Sequence, residues 1–215
     1  MTDPIHPLAG VIAGLGRLVS GVQVRWDGVA PEPRQRIYFA NHSSHLDFVV
    51  VWAALPPELR ARTRPVAARD YWEKGALRPY LAQRVFRAVL LDRGAPTPAE
   101  VAPTHVAARD LIDGLVTALG DDTSLIIFPE GTRGSGETIA PFKSGIYHLA
   151  RRRPDVELVP VHIDNLNRIL PKGEIFPVPL ISTVTFGPPL RLADGESKQP
   201  FLTRAHEAVL ALRRS

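Results

Sequence analysis

Ile37-Tyr38-Phe39-Ala40-Asn41-His42-Ser43-Ser44-His45-Leu46-Asp47 is a short apolar run that breaks into polar residues and then enters a helical pattern, Leu46 to Leu55. Four apolar residues bounded by polar ones read as a buried strand, so this stretch predicts strand, turn and helix. It also sets a histidine and a carboxylate five positions apart. Were residues 42 to 47 all helical, the ~100° turn per residue would hold His42 and Asp47 about 140° apart, facing away from one another. The pair works better if His42 lies in the turn leaving the strand, Ser43 or Ser44 caps the helix, and Asp47 sits in its first turns. Asp47 could then fix the imidazole tautomer and leave the other ring nitrogen free to take a proton from a hydroxyl that arrives on a substrate. For a lone His-x4-Asp, a capping or core histidine is the competing explanation.

The same alternation extends along the chain. Strand-like runs at Val22–Trp26, Ile37–Ala40, Pro65–Ala68, Ala88–Leu91, Ser124–Phe128, Leu158–Ile163 and Ser182–Phe186 are interleaved with helical patterns. Those patterns are Leu46–Leu55, Tyr71–Phe86, Ala99–Leu119, Phe142–Arg151 and Phe201–Arg213. This order predicts an α/β layered fold. The prolines and glycines of Pro171–Pro189 predict edge strands and loops there. Before the first strand, Leu8, Val11, Ile12, Leu15, Leu18, Val19 and Val22 recur at helical spacing, so residues 1–22 read as an amphipathic segment and 23–215 as one domain. Arg17 interrupts that segment, which falls short of the ~20 apolar residues of a spanning helix. It either lies in a membrane interface or packs on its own domain.

Composition narrows the function classes. A chain of 215 residues buries roughly 70% of its unfolded surface around one core, and 45% hydrophobic residues suffice for that core. The absence of cysteine removes disulfides, thiolate metal sites and a cysteine nucleophile. A net charge of +4 and a sequence pI near 9.8 favour an anionic partner, a membrane surface or an acidic carrier protein. Nucleic acid is not expected: Arg151-Arg152-Arg153 has no interleaved aromatic residues and matches no DNA- or RNA-binding signature. Arg60, Arg62, Arg64 and Arg69 could steer an acidic partner or simply be a solvated surface. Met1-Thr2-Asp3-Pro4 lacks the basic start of a signal peptide, so the expected location is cytoplasmic.

A second cluster, Phe128-Pro129-Glu130-Gly131-Thr132-Arg133-Gly134, follows the apolar run Leu125–Ile127 and joins a carboxylate and a guanidinium flanked by glycine. Other chemistries fit less well. His42, His45 and Asp47 could bind a metal in a metal-dependent hydrolase, although no His-Glu-x-x-His spacing occurs. Ser43, Ser44, Ser135 and Ser144 lie outside any Gly-x-Ser-x-Gly elbow. Residues 131–138 have phosphate-loop spacing, but Glu137 stands where the lysine must be.

Taken together, these residues carry a resemblance to the glycerolipid acyltransferase family, the 1-acyl-glycerol-3-phosphate acyltransferase-like His-x4-Asp acyltransferases. Asn41–Asp47 matches the first block, Leu91-Asp92-Arg93 the end of the second, Phe128–Arg133 the third, and Val159-Pro160-Val161 the fourth. Arg87 stands where the second block commonly opens with glycine. The resemblance implies a single layered domain with a central mixed sheet flanked by helices. It implies transfer of a fatty acyl group from acyl-CoA or acyl carrier protein to a lysophospholipid hydroxyl, giving phosphatidic acid, with no metal and no cofactor beyond the donor. In that scheme His42 is the general base and Asp47 its partner. Arg93, Glu130, Gly131, Thr132, Arg133 and Lys143 bind the acceptor, Glu130 by positioning Arg133 or accepting from a glycerol hydroxyl because a carboxylate would repel the phosphate, and Pro160 shapes the acyl site. Another acceptor, such as a lyso-ornithine lipid, fits the same blocks, and the enzyme is expected to be peripheral on the cytoplasmic membrane face.

Overall fold

The computed structural model describes residues 7–44, 46–75, 77–91, 105–134, 136–164 and 182–214. Its seven strands are β1 (Gln23–Trp26), β2 (Arg36–Ala40), β3 (Thr63–Ala68), β4 (Val89–Leu91), β5 (Ser124–Ile127), β6 (Glu157–Asp164) and β7 (Thr183–Phe186). They form one mixed sheet in the order β1-β7-β6-β2-β5-β3-β4. Every neighbouring pair is parallel except β6 with β7. All five residues of β2 are buried, as a strand covered on both faces must be.

Alternation along the strands builds two cores. Tyr38, Ala40, Val159, Val161 and Phe186 face α1 (Pro7–Ser20) and α2 (Asp47–Ala54), packing with Ala9, Ala13, Val51 and Trp52. Ile37, Phe39, Leu125, Ile127 and Leu158 face the other way, toward α6 (His105–Leu119), α7 (Gly145–Arg152) and α8 (Lys198–Ala211). Only Val49 of α2 is not fully buried, so this helix has no solvated face and belongs to the core. Helix α1 contributes Ala9 and Ala13 to that core while Leu8 and Val11 stay 40% and 56% exposed. No helix among the described residues is long and apolar enough to cross a membrane.

The α/β order is as the sequence predicts; the differences are local. The single helix expected over Tyr71–Phe86 is broken into α4 (Arg69–Trp72), α5 (Leu77–Tyr80) and a π-turn at Leu81–Val85, following a short helix α3 at Pro57–Ala61. Gly75, at φ +74°, turns the chain between α4 and α5. In the π-turn Phe86 donates its N–H to Leu81 O at 2.9 Å, and the extra residue buries Ala82, Val85 and Phe86 together. Phe86 then packs edge-on against Phe48 and Trp52. The exit from this turn leaves Arg87 at φ +51°, a left-handed backbone that glycine adopts without penalty. That conformation gives a physical reason for the family's glycine at this position.

Thr183–Phe186, expected at an edge, lies between β1 and β6 instead, because β1 covers it from outside. Pro160 sits inside β6, next to β2, and this too is accommodated. Its carbonyl accepts from Gly187 N at 2.9 Å, so its nitrogen also points to the β7 side, where the ladder has already ended at the Val161–Phe186 pair. The start of the expected Ala99–Leu119 helix and most of Pro171–Pro189 lie outside the described residues.

Candidate active site

Helix α2 follows β2 onto one face of the sheet, and α7 follows β5 onto the other. Adjacent parallel strands whose connections diverge leave a crevice beyond their carboxyl ends, and both sequence clusters lie there. His42 is in the turn leaving β2, the placement from which its ring can face Asp47. Its Nδ1 lies 2.7 Å from Asp47 Oδ2, and the same oxygen accepts the backbone N–H groups of Ser43 at 2.6 Å and Ser44 at 2.8 Å. Asp47 opens α2, and its carboxylate does the work expected of a serine cap by gathering the preceding turn. Among the described residues Ser44 Oγ accepts only Leu46 N–H, at 3.3 Å, and Leu46 itself makes no side-chain capping bond.

A carboxylate can only accept, so the Asp47 contact holds the hydrogen on Nδ1 and leaves the Nε2 lone pair available. The imidazole is also stacked on Phe128, with ring centroids 4.3 Å apart and planes 22° from parallel. The His42 side chain retains 17% exposure while Asp47 has none. The result is an oriented, reachable nitrogen beside a buried charge.

The turn is fixed from both neighbouring strands. Asn41 spans to β6, donating from Nδ2 to Ile163 O at 2.9 Å and accepting Ile163 N–H on Oδ1 at 2.8 Å. From the β5 side, Gly134 N–H donates to His42 O at 2.8 Å, and His42 N–H donates to Glu130 Oε1 at 2.7 Å. Glu130 Oε2 accepts Ala140 N–H at 2.8 Å. Glu130 is thus buried and taken up by main-chain donors, and it forms no ion pair with Arg133 among the described residues.

Gly131, Thr132 and Arg133 form an exposed lip on this crevice. Gly131 has φ +72°, and a β-carbon on it would come within 2.8 Å of Lys143 Nζ, so the Lys143 ammonium hangs directly over the turn. Arg133 is exposed, with no ion pair or hydrogen bond among the described residues. Pro160 is farther down, in β6. Its ring and Leu212 crowd the same side of Gly187. Arg93 and His45 lie outside the described residues. A shallow polar cavity adjoins the turn, lined by Asn41, His42, Ser43, Thr138 and His162 among others. Burial pushes the His162 imidazole below its ordinary pKa and keeps it neutral, Asp164 partly opposing and Arg213 reinforcing the shift.

Three contacts carry structure that spacing alone does not reveal: the Asn41 bridge, the Phe128 stack and the Glu130 clasp. An Asn placed directly after a strand is the visible signal for the first; the other two depend on which strand lies beside β2.

The family model for acyltransferases matches residues 21–164, which include His42, Asp47 and the Glu130–Gly134 turn. The chain belongs to the acyltransferase family. A 1-acyl-sn-glycerol-3-phosphate acyltransferase of Limnanthes douglasii is 29% identical over 190 residues, covering 86% of this chain and 60% of that protein. The human 1-acyl-sn-glycerol-3-phosphate acyltransferase alpha is 32% identical over 142 residues, covering 65% of this chain and 44% of that protein. This acyltransferase chain therefore spans less than two thirds of the length of these relatives. Its fold is similar to the crystal structure of the 1-acyl-sn-glycerophosphate (LPA) acyltransferase from Thermotoga maritima, with a TM-score of 0.68 at 20% identity over 96% of this chain and 79% of that one.

Proposed function

We propose that this protein transfers a fatty acyl group from a thioester, acyl-CoA or acyl carrier protein, to the free hydroxyl of a lysophospholipid, 1-acyl-glycerol-3-phosphate, giving phosphatidic acid. The observation that carries the reading is the His42–Asp47 pair at 2.7 Å, oriented in the crevice beside a lip that carries the exposed cations Arg133 and Lys143. Nε2 takes the proton of the acceptor hydroxyl as its oxygen forms a bond to the thioester carbonyl carbon. The C–S bond then breaks, and the departing thiolate takes that proton from the imidazolium and leaves as a free thiol. A positioned base of this kind contributes about 10² to 10⁴ in rate, and the buried Asp47 carboxylate stabilises the imidazolium formed on the way.

Arg133 and Lys143 are the residues we assign to the acceptor phosphate, since an exposed guanidinium and ammonium at one lip offer charge-assisted hydrogen bonds to a dianion. Thr132 beside them can bond a glycerol hydroxyl, and Arg93 is assigned to the same headgroup by its place in the second block. Pro160, in β6, is assigned to the wall of the acyl site. Peripheral attachment at the cytoplasmic face of a membrane fits a long-chain substrate, and the outward Leu8 and Val11 of α1 support it.

Mass spectrometry of the lipid formed from acyl-CoA with 1-acyl-glycerol-3-phosphate tests the reading, with lyso-ornithine lipid and other lysophospholipids as competing acceptors. Phosphatidic acid as the preferred product is expected. Preference for another acceptor would remove the headgroup assignment, and no acylated product from any acceptor with either donor would remove the reading.

A further inference from the structure

The block that resembles an acceptor-binding motif contains a carboxylate that the fold uses internally. Glu130 is 3% exposed, and its two oxygens receive the main-chain N–H groups of His42 at 2.7 Å and Ala140 at 2.8 Å. Four residues on, Gly134 N–H closes onto His42 O at 2.8 Å. Both polar groups of the His42 main chain are therefore held by the 130–134 segment, while Asp47 holds the ring. The exposed groups of the same block, Thr132 and Arg133, point to a separate task for the lip. An anionic acceptor would also be repelled by a carboxylate at its phosphate.

We infer that Glu130 is a positioning residue for His42, acting through the His42 main chain, and not a ligand of the acceptor. The inference rests on the acyl-transfer reading above. The choice of a carboxylate follows from the donors: two backbone N–H groups converge on two oxygens, and a carboxylate is acceptor-only at both. Glutamine keeps one acceptor but turns an NH₂ group toward the other N–H, so one buried bond is lost; alanine loses both. Displacement of a reacting group by an ångström can cost about 10² in rate.

The test is steady-state kinetics of wild type, Glu130→Gln and Glu130→Ala with acyl-CoA and 1-acyl-glycerol-3-phosphate, beside calorimetric binding of that acceptor. The expected result is a kcat lowered about 10-fold in Gln and about 100-fold in Ala, with acceptor KM and Kd within about twofold of wild type. An acceptor Kd raised about tenfold or more with kcat preserved would make Glu130 an acceptor ligand and overturn the inference. If either variant fails to fold, Ala140→Pro removes the N–H that holds Oε2 without touching the lip. A lowered kcat at unchanged acceptor Kd is expected there too, and an unchanged kcat overturns the inference. Wild-type turnover separates the outcomes: active wild type with altered affinity in the Gln variant sinks the inference alone, whereas wild type inactive on every lysophospholipid acceptor with either donor sinks the acyl-transfer reading and the inference with it.

Discussion

Arg133 and Glu130 stand three residues apart in one block, and burial divides their work: one is exposed without a partner among the described residues, the other is enclosed. Removing the exposed guanidinium should therefore act on binding. Arg133→Ala is expected to raise the acceptor KM about tenfold or more, the worth of a charged hydrogen bond, with kcat within a few-fold. If thioester use failed at an unchanged acceptor KM, that assignment would be wrong. His162 gives a pH signature. Its folded pKa lies below the ordinary 6.5, so between the two values the unfolded chain holds a proton that the folded chain refuses. Stability present above about pH 6.5 is lost as pH falls toward the folded value. Melting temperatures between pH 7.5 and 5.5 should drop more for wild type than for His162→Gln; parallel drops would refute the linkage. The His-x4-Asp spacing was legible in the sequence, and the apolar run before it pointed to a turn from which His42 can face Asp47. The cap was misread because Asp47, not a serine, gathers the turn.

At the level of elements, each expected strand is present, whether read from a short apolar run such as Ile37–Ala40 or from alternation such as Val22–Trp26. The Tyr71–Phe86 pattern misled because apolar periodicity reports neither the turn at Gly75 nor the π-turn at Leu81–Val85. Thr183–Phe186 misled because its prolines flank the strand instead of interrupting it. The π-turn ends at Arg87 in a left-handed conformation, and the cost can be measured. Arg87→Gly should be more stable than Arg87→Ala by about 1 kcal/mol in urea unfolding, since the two differ chiefly in the Cβ that this backbone disfavours. An alanine variant as stable as the glycine one would mean that the turn is not held left-handed.

For the whole molecule, the sheet order was beyond the sequence, since apolar runs do not state their neighbours. That order makes the site: β5 beside β2 brings Phe128, Glu130 and Gly134 to His42, and β6 on the other flank receives Asn41. Helix α1 closes the outside of α2 and turns Leu8 and Val11 outward. Leu8→Glu with Val11→Glu should leave the melting temperature nearly unchanged and reduce sedimentation with anionic phospholipid vesicles several-fold. Undiminished sedimentation would take the membrane contact away from this helix. The central claim, that His42 is the base in an acceptor-dependent acyl transfer, is met most directly by following free thiol released from long-chain acyl-CoA with and without 1-acyl-glycerol-3-phosphate. Wild type should release thiol only with the acceptor, and folded His42→Ala should lose at least about 10² of that rate; release by the variant at a near wild-type rate would contradict the account.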